Sequence, residues 1–129
     1  MDVFRTHGAF SWCELTTPDP QAALRFYGAL FGWTHQKMTM TGGDYHVVKV
    51  GDASVGGVMA PPPGSPPMPP AWGAYVTVDD VDLRSKKAVE LGGKLVYGPA
   101  DVDGVGRMAV IVDPQGAALS LITYRPMAE

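Results

Sequence analysis

Few residues in this sequence could carry chemistry. Glu14 stands in the run Ser11-Trp12-Cys13-Glu14-Leu15, two residues after Trp12. In an extended strand positions i and i+2 share a face, so the carboxylate would lie beside the indole. A carboxylate held against apolar surface has a raised pKa and could act as a general base, or orient a cationic or hydroxylated ligand. At a strand end it would instead be solvated or cap nearby amides. The histidines are His7, His35 and His46, and no two stand at i, i+2 or i+4, so no local chelating motif exists. His46 on a neighbouring strand could join Glu14 as a displaced metal or acid/base pair; surface positions are the plainer reading for all three. Arg107 could receive an anionic ligand by bidentate contact or pair with Asp103. Ser120 could hydrogen-bond a ligand or simply leave room for one. Trp12 and Trp72 could wall a flat ligand, or pack in a core or an interface, which is the commoner role of large aromatics. Cys13 alternates with Trp12 and is expected to be a buried, inert thiol facing a helix layer.

The elements that would position these residues are marked by turn and cap signals. Asp19 suits a helix N-cap, Pro20 the first helical position and Gly32 the position after the last turn. Ala23, Phe26, Tyr27, Leu30 and Phe31 between them recur at helical spacing as one apolar stripe. Strands are expected over Ala9 to Thr16 before this helix, and over Trp33 to Met40, Tyr45 to Val50 and Ala53 to Met59 after it. Gly42-Gly43-Asp44 and Gly51-Asp52 serve as the turns. Residues 60–71 read APPPGSPPMPPA, a proline density that no helix or central strand accepts, so they form an extended connector.

Beyond the connector the pattern repeats. Trp72 to Val78 is expected as a strand, Asp79 or Asp80 as a cap, a helix to Leu91, and strands over Lys94 to Tyr97, Gly106 to Val112 and Ala117 to Tyr124. Asp113-Pro114-Gln115-Gly116 is a turn. Asp19 and Gly32 are separated as Asp79 and Gly92 are, and Trp12 precedes Asp19 as Trp72 precedes Asp79. This self-similarity predicts an α+β single domain, 1–129, of two tandem βαβββ modules (8–59 and 72–124). They would form a curved mixed sheet with helices outside and a cleft inside.

Size and charge exclude several function classes. The chain has 129 residues, enough to bury a core without staples, and a net charge of −3 with no basic stripe, so no nucleic-acid partner is expected. A single cysteine forms no intrachain disulfide, no stretch reaches membrane-spanning length, and the first ten residues lack an apolar leader, so the expected setting is cytoplasmic.

Four segments together resemble the vicinal-oxygen-chelate superfamily, the fold of glyoxalases, bleomycin-resistance proteins and extradiol dioxygenases. They are Glu14-Leu15-Thr16-Thr17-Pro18-Asp19; Phe26-Tyr27 with Leu30-Phe31-Gly32-Trp33; Val78-Asp79-Asp80-Val81 with Glu90-Leu91-Gly92-Gly93; and Asp113-Pro114-Gln115-Gly116. The resemblance covers roughly Gly8 to Tyr124 and implies a fold that hosts many activities. Metal-dependent members place His, Glu or Gln on four strands. Carried onto this sequence, those positions fall at Trp12, Gly57, Gly73 and Ser120, none of which is such a residue. The resemblance therefore implies no metal cofactor, and a pocket for an apolar or aromatic organic ligand, with Met59 beside Gly57 and Tyr75 beside Gly73 as lining residues. Ligand-contacting candidates are thus Trp12, Glu14, His46, Met59, Trp72, Tyr75, Arg107 and Ser120, with Glu14 the one catalytic candidate. The alternative is a glyoxalase-like lyase, isomerase or dioxygenase using displaced ligands or Glu14 acid/base chemistry. A homodimer is expected from the family and from aromatics around Trp33 and Trp72.

Overall fold

In the computed structural model, which describes residues 1–40 and 42–125, the Asp19 carboxylate accepts a hydrogen bond from the Ala22 amide at 3.1 Å. Pro20 opens helix α1 (Pro20–Phe31), and Gly32 closes it in the left-handed region at φ 77°. Only a residue without a Cβ adopts that conformation without strain. Strand β1 (Phe10–Thr16) precedes this helix; β2 (Thr34–Met40), β3 (Gly43–Val50) and β4 (Ala53–Met59) follow it. The second series is β5 (Ala71–Thr77), α2 (Val81–Glu90), β6 (Lys94–Val102), β7 (Gly106–Val112) and β8 (Ala118–Tyr124). The fold is α+β, a βαβββ order used twice. No helix among the described residues is long and apolar enough to cross a membrane.

The chain forms two compact units, Trp12–Gly73 and Met1–Ser11 with Ala74–Glu129, so that the boundaries fall inside β1 and β5. In the first unit the strand order is β2-β3-β4-β1, with β1 and β4 parallel and the other neighbours antiparallel. Its core is Leu15, Leu24, Val48 and Val58, flanked by Ala23, Tyr27 and Trp33. In the second unit the order is β5-β8-β7-β6, with β5 parallel to β8. Its core is Val78, Val81, Ala109 and Leu121, flanked by Val76 and Ile111. Burying each such aliphatic side chain contributes roughly 1.5–3 kcal/mol, enough to hold one helix against each sheet.

Three expectations are corrected. Helix α1 turns Leu24, Ala23 and Tyr27 inward, whereas Phe26, Leu30 and Phe31, assigned to the same apolar stripe, stay exposed. The core takes Leu24, Ala23 and Tyr27 from the helix and leaves these three outside it. Strand β6 runs to Val102 instead of Tyr97, because Ala100 to Val102 continue the ladder with Met108 to Gly106 past an irregularity after Tyr97. Gly43 and Asp44 belong to β3 and not to a turn.

The second helix resolves the choice between two aspartates. Asp80 is the N-cap, its carboxylate accepting from the Leu83 amide at 3.0 Å. Asp79 instead takes both Arg84 nitrogens at 2.9 Å, which holds its carboxyl down at about 2. Replacing Asp80 by Ala should therefore cost about 1 kcal/mol of stability. It should lower the urea midpoint by more than Asp79→Ala does, since the latter removes only an exposed ion pair.

Candidate functional site

Strand register decides which side chains of the first unit meet. Glu14 lies opposite Gly57, and Gly57 opposite Val47; Thr16 lies opposite Met59, and Met59 opposite Tyr45. Trp12, Glu14, Tyr45, Val47, Gly57 and Met59 thus share one face of the sheet, and Leu15, Val48 and Val58 share the other, under α1. Trp12, Glu14 and Met59 are half-buried there.

A residue not singled out from the sequence organises this face. The Tyr45 hydroxyl donates to Glu14 Oε2 at 2.7 Å and accepts the Trp12 indole N–H at 2.8 Å. The phenol reaches that position by lying across Gly57: a Cβ built on Gly57 would overlap the Tyr45 hydroxyl and ring. Gly57 is therefore a notch that seats Tyr45. The neighbouring Gly56 meets a different demand, since a Cβ there would stand 2.7 Å from the Cys13 carbonyl oxygen of the parallel strand. A pair of glycines inside a strand signals such close approaches. That signal could have pointed to a large side chain lying over Gly57, although not to which one.

The resemblance implies a divalent ion in metal-dependent members, and it carries the first two ligand positions onto Trp12 and Gly57. One is an indole whose N–H is a donor; the other is an empty Cβ position filled by a phenol. Among the described residues no three of His, Cys, Asp or Glu come together as a metal-holding group. This donor set does not fit a divalent cation, which requires several deprotonated N, O or S ligands converging on one point.

Two sequence candidates leave this face. His46 neighbours Tyr45 along β3 and so points to the opposite side, beside Val58 of β4 and Lys37 of β2. It cannot pair with Glu14, and it is not a surface histidine, being only 4% exposed. Among the described residues its Nδ1 has no hydrogen-bond partner. Burial pushes the imidazole pKa down, and nearby His35 and Lys37 push it further against a smaller pull from Asp44. Trp72 also lies away from Trp12. Its indole N–H donates to the Tyr27 hydroxyl at 3.2 Å, and its ring packs edge-on against Tyr27 and Trp33 in the α1 layer. The equivalence of the two tryptophans fails because the second helix is capped at Asp80: counted back equally from the caps, Trp12 corresponds to Gly73.

On the α1 side, Cys13, Trp33, Val48, Val55, Gly56 and Trp72 line an almost wholly apolar hollow of about 320 Å³. Cys13 is exposed there, not buried as expected, because the α1 core reaches Leu15 and stops short of Cys13.

The remaining candidates lie in the second unit. Tyr75 and Ser120 stand opposite each other on β5 and β8, both half-buried, with Val110 beyond Ser120. Arg107 is engaged by two carboxylates, Asp82 through Nε at 2.7 Å and a second nitrogen at 2.9 Å, and Asp101 at 3.1 Å. The hydrogen bonds it donates to Asp82 and then to Asp101 raise its pKa above the ordinary value. The expected partner Asp103 is not among them, because Asp101 faces Arg107 directly across the β6–β7 ladder. His7 is exposed and accepts the Asp79 amide through Nδ1 at 3.0 Å.

If Gly57 is the notch for Tyr45, Gly57→Ala should expel the phenol and cost as much as Tyr45→Phe or more. Tyr45→Phe should cost about 1–3 kcal/mol, since it withdraws a hydrogen-bond partner from both Trp12 and Glu14. Urea denaturation of the two variants and of the double variant checks this; additive losses would contradict it.

Comparison with known proteins places this geometry in a family. Residues 9–121 match the model of the Glyoxalase/Bleomycin resistance protein/Dioxygenase superfamily. A Mycobacterium tuberculosis protein named "Putative glyoxylase CFP32" is 46% identical over 120 residues, 92% of this chain and 45% of that protein. "Anthracycline biosynthesis protein DnrV" of Streptomyces peucetius is 33% identical over 127 residues, 88% of this chain and 46% of that protein. This chain thus spans about half the length of the curated relatives it matches. Among solved structures, methylmalonyl-CoA epimerase from Mycobacterium tuberculosis superposes with a TM-score of 0.67 at 18% identity, covering 92% of this chain and 89% of that one. A homoprotocatechuate 2,3-dioxygenase variant from B. fuscum gives 0.63 at 16% identity, covering 93% of this chain and 33% of that one. At such identities these two show the fold alone. With a matched model over most of its length and the βαβββ order used twice, the chain belongs to the glyoxalase/bleomycin resistance protein/dioxygenase superfamily.

Proposed function

We propose that this chain is a metal-free small-molecule-binding protein that takes an apolar or aromatic organic ligand on the sheet face carrying Trp12, Glu14 and Tyr45. The observation that supports this most is the Tyr45 hydroxyl lodged over Gly57 and bonded to both Trp12 and Glu14. At two positions where the family resemblance implies metal ligands, this chain has an indole and a glycine covered by a phenol, with the Glu14 carboxylate beside them. Those groups suit a flat organic molecule: two aromatic surfaces to stack on, and one hydrogen-bonding group to fix its orientation. A relative named for anthracycline biosynthesis is consistent with such a ligand, since an anthracycline is a fused aromatic skeleton.

A second reading rests on the 2.7 Å contact between Tyr45 and Glu14. A phenol donating to a carboxylate on a substrate-facing surface could move a proton, giving an isomerase or a glyoxalase-like lyase that works by acid/base chemistry. The relative named as a glyoxylase makes this the reading to test beside the first.

Titrating the protein with an anthraquinone while following tryptophan emission separates the two. The binding reading expects saturable quenching that is lost in Trp12→Phe and weakened about tenfold, or ~1.4 kcal/mol, in Tyr45→Phe. It also expects no turnover of the methylglyoxal hemithioacetal. Quenching indifferent to both substitutions would contradict it. Turnover that falls at least ~100-fold in Glu14→Gln would establish the enzyme reading instead.

A further inference from the structure

We propose that His46 is a pH-sensitive control on the Tyr45 seat: protonating the buried imidazole behind the sheet withdraws Tyr45 from Trp12 and Glu14 in front of it. The inference rests on the reading of the Trp12–Glu14–Tyr45 face as the functional surface, and it concerns how that surface is regulated.

Three observations carry it. Tyr45 and His46 are consecutive on β3, so one backbone segment positions both, on opposite faces. His46 is nearly inaccessible, and its Nδ1 lies buried without a partner among the described residues, so an added N–H there would find no acceptor among them. Its charged surroundings are also of the wrong sign. From β2 come His35, whose ring centroid lies 5.9 Å away, and Lys37, directly opposite in the ladder. From β4 comes Val58, which carries no charge. Among the described residues, Asp44, on β3 itself, is the anion acting on the ring. A second positive charge in this layer is opposed by burial and by two basic neighbours, with one carboxylate in partial compensation.

The imidazolium can be relieved if β3 rotates or parts from β2 and lets water reach the ring. Strand β2 begins the strand order of its unit, and its residues from Thr34 to Thr39 are exposed, so little apolar burial opposes that opening. Any rotation of β3 at His46 also moves Tyr45, whose hydroxyl and ring occupy the space left by the missing Gly57 Cβ. The direction follows from linkage. The neutral ring is favoured in the closed state, so the closed state is fully stable above the ordinary imidazole value of about 6.5 and is weakened as pH falls below it.

The test follows the Trp12 indole N–H by nitrogen-edited NMR, assigned with Trp12→Phe, from about pH 7.5 to about pH 5. The expected result is a reversible shift or broadening of that resonance as the bond to Tyr45 is lost, absent in His46→Phe. As His46→Phe alters a buried site, two exposed substitutions supply an independent check. His35→Gln and Lys37→Gln each remove a basic neighbour that disfavours the imidazolium and should move the midpoint toward higher pH. A Trp12 resonance that stays constant across the range, a transition that persists in a folded His46→Phe, or a midpoint indifferent to both surface substitutions would overturn the proposal. The readout needs no ligand, so a failed ligand titration and a failed pH transition count against different statements.

Discussion

A phenol oxygen and a Cβ cannot occupy one point, and the first unit is arranged around that exclusion. Because residue 57 is glycine, the Tyr45 ring can lie across β4 and place its hydroxyl between Trp12 and Glu14 on β1. The two hydrogen bonds tie β3 to β1 over the top of the intervening strand, in a direction that the backbone ladder does not cover. They also fix the chemical character of the face. An indole N–H that could have met a ligand is already committed, and a carboxylate that could have been mobile is held by a neutral donor.

The same strand links the two faces of the sheet. Side chains of β3 alternate between the Glu14 side, with Tyr45 and Val47, and the α1 side, with His46 and Val48. Val48 is one of the most buried residues in the unit, and His46 follows it into the same layer. A titratable ring has thus been placed where a core aliphatic would normally stand. Charging it is disfavoured, because among the described residues no group accepts from its Nδ1 and two basic groups stand near. Conditions that change the charge of the back face can therefore act on the organic surface in front without touching it directly.

Much of the fold was legible in the sequence because local signals and tertiary packing agree. Asp19, Pro20 and Gly32 bound α1 as their cap preferences require, and the Gly-Asp pair at residues 51 and 52 joins β3 to β4. The sharing of one face by Trp12 and Glu14 followed from strand periodicity alone. What periodicity could not supply was reach across strands. Tyr45 acts on Gly57 diagonally over the sheet, and no spacing along the chain encodes that contact. Trp72 was misplaced by one residue in the alignment of the two halves, since Asp79 and Asp80 are equally good caps until Arg84 claims the first. One residue in a strand reverses the face, so a small ambiguity moved a large aromatic to the wrong layer. Cys13 and His46 erred in opposite directions for a related reason: burial depends on where α1 ends and where β2 pairs.

We propose that an aromatic hydrogen-bonded network, and not a metal ion, occupies the chemical centre of the Trp12–Glu14–Tyr45 face. The most direct measurement is metal analysis of tag-free protein, followed by thermal melts with Zn²⁺, Ni²⁺, Mn²⁺, Fe²⁺ and a chelator, in wild type and in Glu14→Gln. The account predicts far less than one metal ion per chain and melts that respond to neither ion nor chelator. Near-stoichiometric metal, or a melt raised by one ion, lowered by the chelator and abolished in Glu14→Gln, would contradict it.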